Sequence, residues 1–501
     1  MTTAETEWRK LDRRTVVVSV LRTAGLVAVG ALPAVVAVSG RFSLALAAVT
    51  VGPAMVLIIG AVAIGDDIRW RRTSYRIGAE RVELVSGIVV RKRRSLATER
   101  IRSVDVTAGL LLRVFGLAHV KIGTGEQTGA GESSLSLHPV AAAEGERLRR
   151  ELLDRPAVRE RAAAADGTLS RIDPSWIRFA PVSVLTPAIG GAAFGAVLQV
   201  AEWFGMQEGV ISWTLDQLRA FPLVVSVLAF VAAGLVVGVV GSLLWFVEMW
   251  WDYRLEREPG GTLRVRRGLL TTRSVSLEER RLRGVEVVEP LGNRLLGAGR
   301  VDAVATGLSR QKEGERTDTK TLQPAAPRAE ADRVAALVLR EEVSPTASVR
   351  LRGHPRAARG RRVRWALLTV LVAVAPLLVL GLVLTPVLLH LAWICALVLT
   401  PVAVAIAFDA YRNLGHGITG GYLVARHGAV RRSTVALQRR GVIGWTARQS
   451  IFQRRRGLLT LTATTAAGGG AYSVHDVGES EGLTFAEEAV PDLFGPFLER
   501  T

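Results

Sequence analysis

The sequence predicts an α+β membrane protein with six transmembrane helices in three hairpins, each followed by a small antiparallel β domain with a C-terminal helix. Two observations predict this fold class. A stretch beginning at Gly87, Gly268 and Gly428 occurs three times without an insertion or deletion. The apolar residues, 49% of the chain, are gathered into long blocks although 22% of the residues are charged. Repetition at fixed spacing predicts that the three copies share one fold.

Each copy of the repeat predicts one β domain. The aligned positions are Leu96, Leu277 and Leu437; Ile101, Leu282 and Val442; Arg113, Arg294 and Arg454; Gly116, Gly297 and Gly457; and Val120, Val301 and Leu461. Short β-branched runs broken by glycine and charge are typical of half-buried antiparallel strands. The first glycine of each copy is expected in a tight turn with positive φ. Ile101, Leu282 and Val442 share one position and are expected to be buried.

A turn-rich loop and a helix close each copy. The loops are predicted at Gly123–Gly131, Thr306–Thr319 and Ala466–Gly470, and the helices at Val140–Leu153, Ala329–Glu342 and Phe485–Leu498. The helices are predicted from apolar residues at three- and four-residue spacings. Pro491 is expected to break or kink the last helix, since proline removes a backbone donor.

Five apolar blocks supply the hairpins. They are Thr15–Val38, Phe42–Ile64, Phe179–Phe204, Phe221–Trp250 and Trp365–Phe408. A membrane-spanning helix needs about 20 residues, so the last block is predicted to be two helices that meet near Pro386. A cleaved signal peptide ending near Ser39 is the alternative for the first block. It is disfavoured because the apolar core is too long and a second span follows at once.

Two details of the spans carry expectations of their own. Arg22 lies inside the first apolar block and is expected to extend its side chain to the membrane interface. The third and fourth spans contain small-residue spacings, Gly191-x-x-x-Gly195 and Gly234-x-x-x-Gly238. Such spacings allow close helix packing, so these glycines are expected where the two helices meet.

The chain therefore divides into six predicted segments. Residues 1–66 form the N-terminal segment with the first hairpin, 67–155 the first β domain, 156–250 a linker with the second hairpin, 251–343 the second β domain, 344–408 a linker with the third hairpin, and 409–501 the third β domain.

Arginine sets the predicted orientation. The chain carries 64 basic and 45 acidic residues, a net charge of +19. The N-terminus and all three β domains are rich in arginine, whereas the loops on the other side of the hairpins hold only Arg41 and Arg219. The positive-inside rule then predicts a multi-pass protein of the inner (cytoplasmic) membrane with both termini cytoplasmic. Nucleic acid is not expected as a partner, because no interleaved aromatic set is present to stack bases.

The sequence predicts no catalytic, cofactor-binding or metal site. Cys395 is the one cysteine and lies in an apolar run, and the seven histidines show no ligand spacing. The glycine-rich stretch 123–131 lacks the Lys-Ser/Thr ending of a nucleotide loop and is interpreted as a hairpin. Ser473 and His475-Asp476 are interpreted as an exposed turn rather than parts of a catalytic triad.

The basic run Arg91, Lys92, Arg93 and Arg94 supplies the candidate headgroup contacts. One interpretation is a topology signal on a charged strand edge, which also discourages strand-to-strand aggregation. Another is attraction to the anionic inner leaflet, worth about 1 kcal/mol per basic residue near the surface. Both interpretations stay open at this point, and nucleic-acid binding is the weakest of the three.

The repeats carry a resemblance to a known family, the YdbS/YdbT-like bacterial PH-domain proteins, also described as membrane-flanked domains. The residues that resemble the family are Tyr75-Arg76-Ile77, Arg100–Val104 and Leu112–Ala118 in the first copy, and Tyr253-Arg254-Leu255, Arg281-Leu282 and Arg294–Gly297 in the second. The third copy departs at Gly441, which stands where the others have arginine. The resemblance covers nearly the whole chain and implies that each β domain is PH-like, a sandwich with a C-terminal helix.

The resemblance implies no known catalytic activity and no cofactor. It implies a non-enzymatic scaffold or interaction platform in the membrane, with a role in envelope stress or toxin resistance. Membrane lipids are the expected partners, with other proteins or a second copy of the chain as further candidates. The alternative is a subunit of a transporter or channel. A polar face along a span would favour that alternative, but the spans are almost purely Val, Leu, Ala and Gly.

Reporter fusions test the predicted topology. A fusion after Gly209 should be active outside the membrane, because that loop lies opposite the arginine-rich domains. Fusions after Gly125, Gly314 and Thr501 should be active inside. An outside signal from any of these three positions would overturn the orientation.

Overall fold

The structure is a computed structural model, and it describes residues 8–78, 80–87, 90–101, 103–123, 134–153, 167–183, 185–258, 261–306, 320–491 and 493. The chain divides into two compact units, Met1–Arg280 and Arg281–Thr501. We call them the N-terminal and the C-terminal unit. The predicted loops at 123–131 and 306–319 lie almost entirely outside the described residues, as does most of the chain beyond Pro491.

The N-terminal unit contains two antiparallel sheets. Its helices are α1 (Arg14–Arg41), α2 (Leu44–Arg71), α3 (Leu110–Val114), α4 (Ala142–Leu153), α5 (Leu185–Trp203), α6 (Gln207–Arg219) and α7 (Leu223–Trp250). Its strands are β1 (Arg9–Lys10), β2 (Ser74–Ile77), β3 (Arg81–Ser86), β4 (Lys92–Ala97), β5 (Ser103–Ala108), β6 (Leu117–Gly123), β7 (Ser134–Ala141), β8 (Gly167–Arg171), β9 (Arg254–Glu258), β10 (Thr262–Arg267) and β11 (Thr272–Glu278). The sheet orders are β1-β2-β3-β4 and β7-β6-β5-β11-β10-β9-β8.

The C-terminal unit also contains two antiparallel sheets. Its helices are α8 (Leu291–Leu295), α9 (Arg328–Leu339), α10 (Pro345–Ser348), α11 (Arg356–Val383), α12 (Pro386–Arg412), α13 (Ile451–Arg454) and α14 (Glu479–Ala489). Its strands are β12 (Leu282–Pro290), β13 (Ala298–Ala305), β14 (Thr321–Pro327), β15 (Gly415–Thr419), β16 (Tyr422–His427), β17 (Arg431–Gln438), β18 (Val442–Arg448), β19 (Leu458–Thr465) and β20 (Ala471–Gly478). The sheet orders are β14-β13-β12-β17-β16-β15 and β18-β19-β20.

In the described part of the chain, six helices are long and apolar enough to cross a membrane, namely α1, α2, α5, α7, α11 and α12. The division near Pro386 is confirmed, since Pro386 opens α12 and the Thr385 hydroxyl caps it by accepting from the Val387 amide at 3.3 Å. The helix bounds correct the prediction at the polar ends: α2 continues to Arg71 and α11 begins at Arg356. The loop expected between the third and fourth spans contains helix α6. Hydrogen bonding within a helix continues into polar sequence, which hydropathy cannot detect.

Close glycine packing between the third and fourth spans is confirmed at Gly234 and Gly238 of α7, whereas the expectation for Gly191 and Gly195 of α5 was wrong. A Cβ atom on Gly238 would lie 2.2 Å from the Thr186 carbonyl oxygen, and one on Gly190 would lie 2.2 Å from the Gly234 carbonyl oxygen. By contrast, Cβ atoms on Gly191 and Gly195 would meet nothing within 4 Å. The interface therefore uses a face of α5 next to the one that the small-residue spacing predicted.

The glycines that align the three repeats occupy matching backbone positions. Gly87, Gly268 and Gly428 have φ of 133°, 111° and 98°. A Cβ atom at any of them would lie 2.0 Å from the carbonyl oxygen three residues later. No side chain fits there, so the predicted tight turns are confirmed.

Successive repeats join edge to edge in a shared sheet. In the N-terminal unit β5 of the first repeat pairs with β11 of the second, with Ala108 opposite Thr272. In the C-terminal unit β12 of the second repeat pairs with β17 of the third, with Glu289 opposite Arg432. Counted from the glycine that begins each repeat, Ala108 occupies the same position as Glu289, and Thr272 the same position as Arg432. The second repeat thus contributes β9–β11 to one sheet and β12–β14 to the other.

Buried ion pairs accompany each of these shared edges. In the N-terminal unit Arg149 on α4 is 3% exposed and contacts Glu258 on β9 at 2.7 Å. In the C-terminal unit Arg328 at the start of α9 contacts Glu289 at 2.8 Å, and Arg432 on β17 contacts the same carboxylate at 2.6 Å. Burial alone would raise the pKa of Glu289, but the two arginines hold it below its ordinary value.

The chain before each hairpin is hydrogen-bonded to the chain after it. Before α1, strand β1 pairs with β2, and before α5, strand β8 pairs with β9. Before α11, Arg352 forms an isolated antiparallel bridge with His416 on β15. These short strands were not predicted, because a few residues show no periodicity. They fix the chain where it enters and leaves each hairpin.

The capping helices pack on the β sandwiches of the first and third repeats. In the first, Ile101, Val104 and Ile122 form one core with Leu148 and Leu152 of α4. In the third, Leu437 and Leu461 share a core with Phe485 of α14. Helix α14 begins at Glu479 and ends at Ala489, before Pro491. The predicted span Phe485–Leu498 was therefore wrong at its start, and the expected proline boundary is confirmed.

The predicted core position is confirmed, because Ile101, Leu282 and Val442 are 1%, 4% and 8% exposed. The substitution Ile101→Ala in the full-length protein should lower the free energy of unfolding by about 2–5 kcal/mol, since it leaves a cavity. Thermal unfolding in detergent measures this. Ile443→Ala is the control, because Ile443 is 61% exposed and its truncation should have little effect. Equal losses from the two variants would contradict the buried position assigned to Ile101.

Candidate functional site

The predicted basic run lies on a sheet edge. Lys92, Arg93 and Arg94 belong to β4, the last strand of the four-stranded sheet, and Arg91 precedes it. All four residues are exposed. Arg93 is engaged in part, because its Nη2 donates to Glu83 Oε1 at 3.0 Å. This hydrogen bond lowers the pKa of Glu83. The placement suits both a charged edge and a headgroup contact.

The first repeat is fixed directly against the ends of its hairpin. The Trp70 indole on α2 donates to the Leu11 carbonyl at 2.7 Å, and the Thr15 hydroxyl on α1 donates to the Pro139 carbonyl at 3.1 Å. Val18 on α1 is buried with Leu112 and Leu117 of the β unit. The first β domain is therefore held at the level where the hairpin ends, and a flexible tether is not needed to keep it there.

A cavity of about 730 Å³ lies between this hairpin and the first β domain. We call it the junction pocket. Its apolar wall includes Val16, Val18, Leu110, Leu111 and Leu112, and its polar groups include Ser19, Arg22, Asp66, Arg69 and His119. An apolar wall with a few convergent polar groups is the usual composition of a small-molecule site. This composition fits an amphiphile, with its chain against the wall and its head at the charged groups.

The polar groups of the junction pocket come from three elements. The Ser19 hydroxyl on α1 donates to the Asp66 carboxylate on α2, which joins the two helices of the hairpin. His119 on β6 lines the pocket together with Arg22, and desolvation together with the Arg22 charge lowers the pKa of this histidine. Arg22 was expected to reach the interface, and the structure places it at the polar wall of this pocket.

The expectation of an exposed turn at His475-Asp476 was wrong. Both residues lie in strand β20, and Asp476 is 1% exposed. Its carboxylate accepts from Arg361 Nη1 at 2.6 Å and from Gln453 Nε2 at 2.9 Å. The Ser473 hydroxyl bonds instead with the Thr462 hydroxyl at 2.8 Å. The pattern Ser-x-His-Asp therefore belongs to a strand and not to a catalytic triad. The strand was not predicted, because Asp476 has a φ of 57° at an irregularity in the pairing and so interrupts the alternation by which a strand is identified.

The sequence predicted neither the polar groups of the junction pocket nor the contacts of Asp476, and the reason is the same for both. Ser19, Asp66 and His119 are far apart in the chain and meet only because α1, α2 and β6 pack together. A detectable signal existed at Asp66, an acidic residue two positions after the apolar block that ends at Ile64. Within the described residues, no group of three His, Cys, Asp or Glu side chains is placed to hold a metal ion. The glycine-rich stretch beyond Gly123 lies outside the described residues.

A family of known proteins matches each of the three repeats. A bacterial PH domain matches the chain three times, over residues 26–156, 196–342 and 367–488. The UPF0699 transmembrane protein YdbT of Bacillus subtilis (strain 168) is 22% identical over 450 residues, which cover 84% of this chain and 87% of that protein. No solved structure matches the chain significantly. The three matches cover most of the chain, and each takes in apolar helix sequence as well as β strands.

Proposed function

From the premise that the chain belongs to the bacterial PH domain family and is a multi-pass membrane protein, we propose that it is a non-enzymatic membrane scaffold whose PH-like domains bind lipid headgroups. The family is not a known enzyme family. The proposal includes the inner membrane as its location, with both termini cytoplasmic and the PH-like domains facing the inner leaflet. By resemblance it extends to a role in envelope stress or toxin resistance.

The junction pocket carries the proposal. It combines a leucine and valine wall with Arg22 and Arg69, at the end of a hairpin that is apolar enough to cross a membrane. A phospholipid has the same division into an apolar chain and an anionic head. The contacts of Trp70 and Thr15 hold the first β domain at the end of the hairpin, so a headgroup and the pocket lie within reach of each other.

The exposed basic run supports the same function. Arg91, Lys92, Arg93 and Arg94 are exposed on a β domain that is fixed at the hairpin end, and the proposal requires them to lie within range of the membrane surface potential. That potential decays over a Debye length of about 8 Å at physiological salt. The alternative, a transporter or channel subunit, would favour polar groups midway along the spans. The polar groups of the junction pocket instead gather at one end of the first hairpin.

Replacing Arg91, Lys92, Arg93 and Arg94 together by glutamine should weaken contact with anionic lipid several-fold or more, because it removes four charges that are attracted to an anionic surface. A fluorophore on Ser95→Cys, in a Cys395→Ala background, reports contact through quenching by spin-labelled headgroups. The full-length protein is placed in nanodiscs with anionic or neutral lipid. Quenching should be stronger with anionic lipid, should fall with salt, and should drop in the glutamine variant.

A matched control replaces Arg454, Arg455 and Arg456 by glutamine. These residues form a second basic run in the third repeat, and their loss should leave quenching at Ser95→Cys unchanged. Quenching that ignores lipid charge, salt and the four substitutions would show that the run at β4 serves only as a topology signal and charged edge.

The substitution Gly109→Phe should fill the junction pocket without unfolding the protein. Gly109 lines the pocket, has an ordinary φ of −70°, and a Cβ atom there would meet nothing within 4 Å. A phospholipid with a photoreactive group in its acyl chain should crosslink to the peptide that contains Leu110, Leu111 and Leu112. Gly109→Phe should reduce that crosslink.

The control for this experiment is Gly421→Phe, at another glycine with open space around its Cβ position. It should leave the crosslink unchanged. Crosslinking of equal yield in the parent and in Gly109→Phe would argue against lipid in the junction pocket.

A further inference from the structure

A second polar cavity lies in the C-terminal unit, where α11 meets strands β16 and β20. Its volume is about 440 Å³, and its lining includes Arg361, Arg362, Trp365, His427, His475 and Asp476. We propose that this cavity binds a phosphate group, from either an anionic phospholipid or a free phosphate. The lipid source rests on the proposed function, whereas a site for free phosphate would stand without it.

Cationic groups outnumber anionic groups in this cavity. Arg361 Nη1 contacts Asp476 Oδ1 at 2.6 Å, and Arg362 Nη2 contacts Asp476 Oδ2 at 3.4 Å. Two guanidinium groups thus share one carboxylate, which also accepts from Gln453. Burying an unbalanced charge is costly. A bound anion would supply the missing negative charge.

Unused hydrogen-bond donors line the same cavity. The Nε–H groups of Arg361 and Arg362 are buried without a hydrogen-bond partner in the described part of the chain, and the Nδ1 atom of His427, a donor in one of the two imidazole tautomers, also has none. Buried donors are normally paired. A phosphate has enough acceptor oxygens to use several of them at once, and guanidinium groups match its geometry.

Solvent can still reach the two arginines. The Arg361 side chain is 26% exposed and the Arg362 side chain 22%, so an anion can approach from outside. The Arg359 side chain, on the same helix, stacks over the Phe408 ring at 5.7 Å instead of lining the cavity. The site is therefore defined by Arg361 and Arg362 and not by the whole arginine-rich start of α11.

The histidines contribute donors but no charge at pH 7. Burial lowers the pKa of His475 to about 4, with further effects of His427 and Arg362, and burial also lowers the pKa of His427. Their rings lie 5.3 Å apart at an interplanar angle of 75°. Two adjacent imidazolium ions would repel each other here, whereas neutral rings can each donate one N–H to an anion.

The position of the cavity connects it to the membrane surface. Its wall includes Trp365, which lies within α11 after the arginine-rich first turns, and Ala410, near the C-terminal end of α12. The apolar part of α11 begins at Trp365, and tryptophan favours the interface between membrane and water. A lipid phosphate lies at that level. A free phosphate could reach the same donors from the aqueous side.

Binding to the full-length protein in a neutral detergent tests the proposal. The probes are inorganic phosphate and a short-chain phosphatidylglycerol, with a short-chain phosphatidylcholine for comparison. Calorimetric titration should show binding of at least one of the first two probes. The double substitution Arg361→Gln with Arg362→Gln should weaken that binding by about tenfold or more, because it removes two charge-assisted contacts. Arg359→Gln should not change it.

Asp476→Asn provides a variant with the opposite expected effect. It removes the competing negative charge, so phosphate should bind several-fold more tightly. Asparagine also tolerates the positive φ of 57° at this position. A purely structural cluster would instead give loss of stability in both variants and no gain of affinity in either.

The two probes separate the sources of the phosphate. Binding of phosphatidylglycerol alone assigns the cavity to a lipid headgroup, and binding of inorganic phosphate assigns it to a free anion. Absence of binding by either probe, or binding that is indifferent to Arg361, Arg362 and Asp476, would overturn the proposal. The headgroup function of the first repeat is tested by different residues, so either proposal can fail without the other.

Discussion

Edge-to-edge strand pairing between successive repeats is the constraint on which the rest of this architecture depends. β5 with β11 and β12 with β17 pair at the same repeat positions. A slip of one residue would turn every buried side chain of a strand to the other face. The pairing therefore requires each repeat to present its core residues at fixed places, which explains why the copies align without an insertion or deletion.

The pairing also explains the unequal charge of equivalent strands. Strands β11 and β17 are covered by a neighbouring repeat, whereas β4, at the same repeat position, ends its sheet. β4 and the residue before it carry Arg91, Lys92, Arg93 and Arg94. A charged edge discourages the addition of another strand. Headgroup contact and protection of the edge are compatible, because both need these side chains exposed.

Ion pairs of buried charged residues accompany both shared edges. Removing Arg149 or Glu289 from water costs free energy that the contacts with their partners largely offset. An incorrectly paired edge would leave these charges buried and alone, which is strongly unfavourable. The residues involved differ between the two edges, so the same strand pairing is accompanied by different side chains.

The sequence by itself determined the repeat, the six apolar helices, the turn glycines and the buried position of Ile101. These features depend on local periodicity or on steric limits that act within a few residues. Only the tertiary structure decided which strands share a sheet, which glycines of α5 touch α7, and which polar groups meet. Ser19 and His119 come together in the junction pocket, and Arg361 and Asp476 come together at α11, only after distant elements pack. Such contacts depend on the relative placement of whole helices and sheets, and a local pattern of residue types carries no record of that placement.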